Sequence, residues 1–180
     1  MMTYVTEMRK LLMAVVLVAT ATVCSPPASA AALSEAPAAA GIIDSQAFVT
    51  FAGDGYSVLV PRGWARTQQG SAVTFRSDAD SELIETAPAG TSTDLTARFH
   101  PVGVIHLQTR NVTLGTEPAS LISFRSLSEP DPVTGKRLEI ENLLYSSSHN
   151  GVKAMLLFSA RTAADNADRW TKIAQSFRWT

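Results

Sequence analysis

The chain has 180 residues, of which 46% are hydrophobic and 17% charged, and its formal net charge is −1. That balance excludes the basic face with which a protein neutralises several phosphates, so nucleic acid is not an expected partner. With Cys24 as the sole cysteine no internal disulfide can form, and stability has to come from a core, which a chain of this length can bury.

Residues 1–30 read as a secretory signal peptide, because Arg9 and Lys10 precede the apolar run LLMAVVLVATA and the short polar stretch TVCSPPASA. The run is about half of the ~20 residues that a spanning helix needs, which makes a permanent anchor the weaker reading. MRK at residues 8–10 would also open such a signal. Two processing routes compete. Ala28 and Ala30 supply the small residues that favour cleavage before Ala31, whereas lipoprotein processing would acylate Cys24, with Val23 standing where a small residue is wanted. A branched side chain fits poorly there, so cleavage is favoured; a lipid on Cys24 is the alternative and the only expected attachment to a membrane. Removing residues 1–30 takes away Glu7, Arg9 and Lys10 and leaves a net charge of −2. Residues 31–47, AALSEAPAAAGIIDSQA, cannot bury enough apolar surface to offset their ordering entropy and are expected to form a flexible tether, with Ile42 and Ile43 able to dock on the domain edge. The expected location is secreted or extracytoplasmic.

FVTF (48–51) and YSVLVP (56–61) flank AGDG, where Gly53 and Gly55 can take positive φ, and predict a hairpin. PRGW turns the chain, and AVTFRS (72–77) and SELIETA (81–87) predict two further strands around the polar turn DADS. Residues 88–103 hold one or two helical turns at most, from Asp94 to Phe99, before Pro101. VIHLQTRNVTL (104–114) and ASLISFRSL (119–127) predict strands separated by GTEP, and KRLEIENLLYSSS (136–148) and VKAMLLFSA (152–160) a hairpin through HNG. Val152, Ala154, Leu156 and Phe158 mark one face and Met155 and Leu157 the other, which implies cover on both sides of a sheet. The tail changes period: Ala167, Trp170, Ile173, Ala174 and Phe177 recur at helical spacing, with Thr162 or Asp165 as the cap.

No constellation with an evident chemistry emerges, and no enzymatic activity or cofactor is expected. Serine at a G-x-S-x-G elbow, a P-loop and a dinucleotide fingerprint are all missing. His100, His106 and His149 have no zinc-ligand spacing and read as solvated or edge-strand residues, so no metal is expected. Asp78, Asp80 and Glu82 could offer oxygens to calcium, but without the later glutamate of a calcium loop they read as a solvated turn. Glu139 and Glu141 share a strand face and could in principle divide acid and base roles, although alternation places them on the solvent side. Asn111 opens an N-x-T sequon by letter, read as chance. Trp64, Trp170 and Trp179 could line a pocket; core packing is the plainer reading.

Three stretches, YSVLVPRGW, then SEPDPVTGKRLEIENLLYSSSHNGVKAMLLFSA, then ADNADRWTKIAQSFRW, stand in a familiar order. On a strand ending in Pro-x-Gly-Trp, an Asp-Pro-x-Thr-Gly-Lys loop and a helix ending in Ser-Phe-Arg-Trp, residues 48–179 resemble the actinobacterial secreted proteins and lipoproteins of the PsbP-like superfamily, LpqN-type lipoproteins among them. The resemblance implies an α+β fold over residues 48–180, an antiparallel β-sheet covered by helices on both faces in an α/β/α sandwich, and no enzyme. Members of known role look like accessory or adaptor proteins: the photosystem II subunit assists the oxygen-evolving centre, and a fold relative binds a small GTPase. Residues 88–103 are a poor version of the family's first helix, and Val23 departs from the lipid-attachment motif.

Two functions follow as expectations. The first is an envelope or secreted adaptor that binds another protein or an envelope component through a sheet edge or loop, with Asp131 and Lys136 as the expected contacts. The second is a small-molecule or lipid carrier whose pocket lies between the sheet and residues 88–103. The loop around Asp131 itself is explained by its residue types, since Pro130 and Pro132 fix φ and Gly135 permits a turn.

Overall fold

The structure is a computed structural model that describes residues 46–180 other than residue 79. The expected leader, Cys24 with its alternative lipid, and all but the last two residues of the expected tether lie outside the described residues.

The order of elements is β1 (Phe48–Ala52), β2 (Tyr56–Pro61), β3 (Ala65–Gln69), β4 (Ala72–Arg76), β5 (Ser81–Pro88), α1 (Leu95–Phe99), β6 (Val102–Leu114), β7 (Glu117–Leu127), β8 (Glu139–His149), β9 (Val152–Arg161), α2 (Ala167–Ser176) and β10 (Arg178–Trp179). They form a three-stranded sheet, β1-β2-β10, and a seven-stranded sheet, β3-β4-β5-β9-β8-β7-β6, with every neighbouring pair antiparallel.

Period-two alternation sets the two faces of the large sheet. Val73, Ile84, Leu156, Tyr145 and Leu121 stand side by side across five strands and join the main core. One residue along, Leu83, Leu157, Leu144 and Ile122 form the matching row on the opposite face. Each large side chain buried in these rows contributes roughly 1.5–3 kcal/mol relative to exposure. The β8–β9 hairpin closes through Asn150 and Gly151, both at positive φ (47° and 81°), the conformation that the HNG sequence predicts.

Helix α2 buries Trp170, Ile173 and Ala174, one stripe at helical spacing, and Trp170 stacks on Phe158 with ring centroids 5.8 Å apart. Its cap is Asn166 rather than Thr162 or Asp165, and the Asn166 side chain makes no capping hydrogen bond because it turns to Arg169. The helix stops at Ser176. Phe177 is extended (φ −59°, ψ 135°), so Arg178 and Trp179 pair with Ser57 and Tyr56 as β10. The Ser176 hydroxyl donates to the Ile173 carbonyl (2.6 Å) and accepts from the Leu59 amide (2.8 Å), tying the helix end to β2.

The expected α/β/α sandwich is not what forms. Strand accounts for 57% of the described residues and helix for 11%. One face of the large sheet is covered by α2 together with the small sheet, and the other meets, among the described residues, only the five residues of α1. The reason lies in residues 88–103, where Pro88, Gly90, Pro101 and Gly103 leave room for little more than one helical turn. Leu95 and Phe99 of that turn pack on Phe124, Leu144 and Met155. The fold is therefore a mainly antiparallel β architecture.

Candidate interaction surface

The loop between β7 and β8 closes on itself through Asp131. One of its carboxylate oxygens accepts from the amides of Val133 (3.0 Å) and Thr134 (2.7 Å) and from the Thr134 hydroxyl (2.9 Å), while the Asp131 amide donates to the Lys136 carbonyl (2.8 Å). These bonds, the Thr134 amide foremost, hold the exposed carboxyl below its usual range. Asp131 is thus occupied in shaping the loop, and Lys136 is exposed beside it. A carboxyl with a lowered folded pKa orders its loop fully above the ordinary carboxylate range and releases it as pH falls. The amide resonances of Val133 and Thr134 are expected to titrate with a midpoint below that of aspartate in a short peptide; an ordinary midpoint contradicts the assignment.

The histidines occupy separate places: His100 follows α1, His106 sits in β6 and His149 ends β8. Glu139 is exposed and accepts from Arg125 at 2.9 Å, while Glu141 is half-buried.

The run Asp78, Asp80, Glu82 departs from the expected solvated turn. Glu82 is 1% exposed and stands in register between Phe75 and Phe158, on the face that Ile84 also occupies. Both of its carboxyl oxygens lack a hydrogen-bond partner among the described residues. Burial pushes its carboxyl up to about 8, against the opposing pull of the Arg169 guanidinium. Asp80 is paired with Arg169, which also reaches the Asn166 amide oxygen and lies over the Trp64 ring at 5.3 Å. The signal that could have found Glu82 is its position two residues before Ile84, on the core-facing parity of the strand.

The two edges of the large sheet differ in kind. At one edge β3 is short and carries the polar sequence ARTQQ, a device by which sheets avoid further pairing. At the other, β6 runs for 13 residues and is exposed along most of its length. Ile105 (47% exposed) and Leu107 (55%) project there with Val102 and Val104, next to the exposed Leu127. Two register shifts interrupt its pairing with β7 between Val102 and Gln108, where Gly103 and His106 take positive φ (62° and 53°); from Gln108 to Leu114 the pairing is regular. An open groove of about 270 Å³ runs between α1 and β6, with Leu95, Val104, Leu107 and Ile122 on its walls.

These elements form two antiparallel sheets with one helix of ten residues and one rudimentary helix, a PsbP-like fold by its likeness to cyanobacterial PsbP. No model of a known protein family matches the chain, and no curated protein matches it. Among solved structures the chain is similar to cyanobacterial PsbP (CyanoP) from Synechocystis sp. PCC 6803, with a TM-score of 0.50 and 18% identity over 80% of this chain and 99% of that one. A protein from Bacteroides thetaiotaomicron VPI-5482 gives the same TM-score, 0.50, with 11% identity over 73% of this chain, which spans about half (48%) of that protein's length. Protein of unknown function PA94 from Pseudomonas aeruginosa is more distant, at a TM-score of 0.41 and 12% identity over 72% of this chain and 94% of that one. At such identities the likeness concerns the fold, and function has to be argued from the surface. Among the described residues no helix is long and apolar enough to cross a membrane.

Proposed function

We propose that this protein is a non-enzymatic accessory or adaptor of the secreted or cell-envelope compartment, and that it takes up an extended segment of a partner protein along the free edge of β6. The observation that carries this reading is the contrast between the blunted edge at β3 and the long edge at β6, which is apolar from Val102 to Leu107 and unpaired among the described residues. An exposed edge strand offers a row of free amides and carbonyls, and the adjoining groove offers a place for one apolar side chain of an added strand. The secretory leader, the alternative lipid on Cys24 and the actinobacterial, LpqN-type assignment belong to the same reading, supported by the sequence patterns alone. The loop at Asp131 and Lys136 is a secondary contact in it, near Leu138 at the same end of the sheet as Leu127.

The carrier reading rests on the groove between α1 and β6, whose volume of about 270 Å³ falls below the ~300–1,000 Å³ usual for small-molecule sites.

The protein incubated with an envelope extract of its host and crosslinked is expected to capture a partner. Leu107→Lys is expected to lose the adduct and Thr67→Lys, on the polar edge, to keep it. Both side chains are exposed, so both variants are expected to unfold within about 0.5 kcal/mol of the unaltered protein. An adduct that survives Leu107→Lys, or one that contains only a second copy of the chain, contradicts the reading.

A further inference from the structure

Where the two sheets part, away from β6, the β1–β2 turn, β5, the β8–β9 turn and β10 enclose a crevice of about 530 Å³. A second hollow, of about 390 Å³, shares Asp54 and Thr86 with it, so the two adjoin at these residues as the two halves of a cleft. Each is within the size range of small-molecule sites.

Aromatic rings stand at both ends. At one end His149 and Trp179 are stacked, with centroids 5.8 Å apart and planes 21° apart. Trp179 is met edge-on by Phe177 at 5.3 Å, and Phe177 stacks on the buried Tyr56 at 5.7 Å, so this wall is anchored in the core. At the other end Phe51 packs edge-on against Tyr56, and the Arg66 guanidinium lies 4.7 Å from the Phe51 centroid. Hydrogen-bonding side chains line both halves: Asp54 and Thr86 are common to the two, Asn150 belongs to the first, and Gln68, which accepts from Arg66 at 2.6 Å, to the second. The charges of Asp54 and Arg66 oppose each other, so the cleft has no dominant sign.

We propose that this cleft binds a short neutral oligosaccharide. A sugar ring presents polarised C–H bonds on its faces, which suit the negative face of an aromatic ring, and hydroxyls around its rim that donate and accept at once. The lining of the cleft offers both, the His149–Trp179 stack with its exposed imidazole in one half and polar side chains in each half. A hydrocarbon chain would leave Asp54, Thr86 and Asn150 without partners, at a cost for each desolvated polar group. A strongly ionic ligand would meet balanced charge instead of an attractive field. Two adjoining hollows suit a chain of sugars better than a single ring.

The cleft shares no lining residue with the β6 groove, so either proposal can fail alone. The test is a titration of isotopically labelled protein with chitotetraose, cellotetraose and maltotetraose, and with their monosaccharides, at millimolar concentration. At least one tetrasaccharide is expected to shift the Trp179 indole resonance and the amides of Gly55 and Asn150 along a saturating curve, and its monosaccharide to bind at least about tenfold more weakly. Asp54→Ala and His149→Ala alter exposed side chains and are each expected to weaken binding by about tenfold, with Trp179→Ala abolishing it. If Trp179→Ala fails to fold, the two exposed variants decide. No shift with any of the three tetrasaccharides, shifts confined to other surfaces, or affinity unchanged in both Asp54→Ala and His149→Ala overturns the proposal.

Discussion

At pH 8, Glu82→Met is expected to be more stable than the unaltered protein by a few kcal/mol, with the difference shrinking towards pH 4.5. Glu82 is a carboxyl whose folded pKa is raised from 4.5 to about 8 by burial. The folded protein therefore holds a proton that the unfolded chain gives up over that interval. Stability is fully present below about 4.5, falls as pH rises, and levels off above about 8. At about 1.4 kcal/mol per pH decade the whole span corresponds to roughly 4–5 kcal/mol. The charged group facing Glu82 is Arg169 of α2, which works against the shift and is itself paired with Asp80, and the Tyr56 hydroxyl is the other titratable group within electrostatic reach. Methionine fits a site between Phe75 and Phe158 and leaves nothing to ionise. Glu82→Gln is expected to flatten the pH dependence without the packing gain, because its amide keeps polar atoms in a place that provides no partners. Urea unfolding between pH 5 and 9 checks this. Stability curves that run parallel for Glu82→Met and the unaltered protein would falsify the assignment.

Gly115→Ala is expected to cost several kcal/mol, more than a typical surface change. Gly115 lies in the β6–β7 turn at φ 60°, and its amide donates to the Ala174 carbonyl at 2.8 Å. A Cβ there would be driven into the Phe177 carbonyl oxygen, backbone that cannot rotate away. The substitution therefore combines a left-handed φ with a forced displacement of the chain between α2 and β10. Gly135, also at positive φ (70°), faces open space, and Gly135→Ala is expected to cost about 1 kcal/mol. Chemical denaturation of the two variants side by side separates steric from purely conformational cost; equal losses contradict this account of Gly115.

Much of the sheet was legible because its strands bury one parity and show the other. Val152 to Ala160 announced its two faces, and HNG announced its turn. Strand β3 is not legible in the sequence because ARTQQ is exposed throughout and no apolar period marks it; its place is fixed by pairing with β4. Strand β10 is hidden in the sequence because Phe177 continues the helical spacing of Trp170 and Ile173, although the chain extends at that residue. Glu82 reads as solvated by its charge, whereas its parity with Ile84 puts it in the core. The sandwich failed on residues 88–103, where the prolines and glycines visible in the sequence count for more than a family likeness.

For the surface, the sequence shows an apolar strand at Val104–Leu107 but not that the strand is an edge. Strand order is set by long-range pairing, and the bulges at Gly103 and His106 depend on how β6 fits β7. The aromatic cleft was half legible: Trp179 was noted, but its stacking on His149 arises only when β10 folds back beside the β8–β9 turn.

The most direct measurement of strand uptake at β6 uses a photoreactive amino acid placed singly at Leu107, at Thr109 and, on the opposite edge, at Thr67, followed by mass spectrometry of the adducts formed in envelope extract. The expected result is one partner segment, linked at Leu107 and Thr109 through neighbouring residues in extended spacing, and absent at Thr67. Equal labelling at Thr67, or adducts at Leu107 and Thr109 scattered over unrelated proteins, contradicts uptake of a strand at this edge.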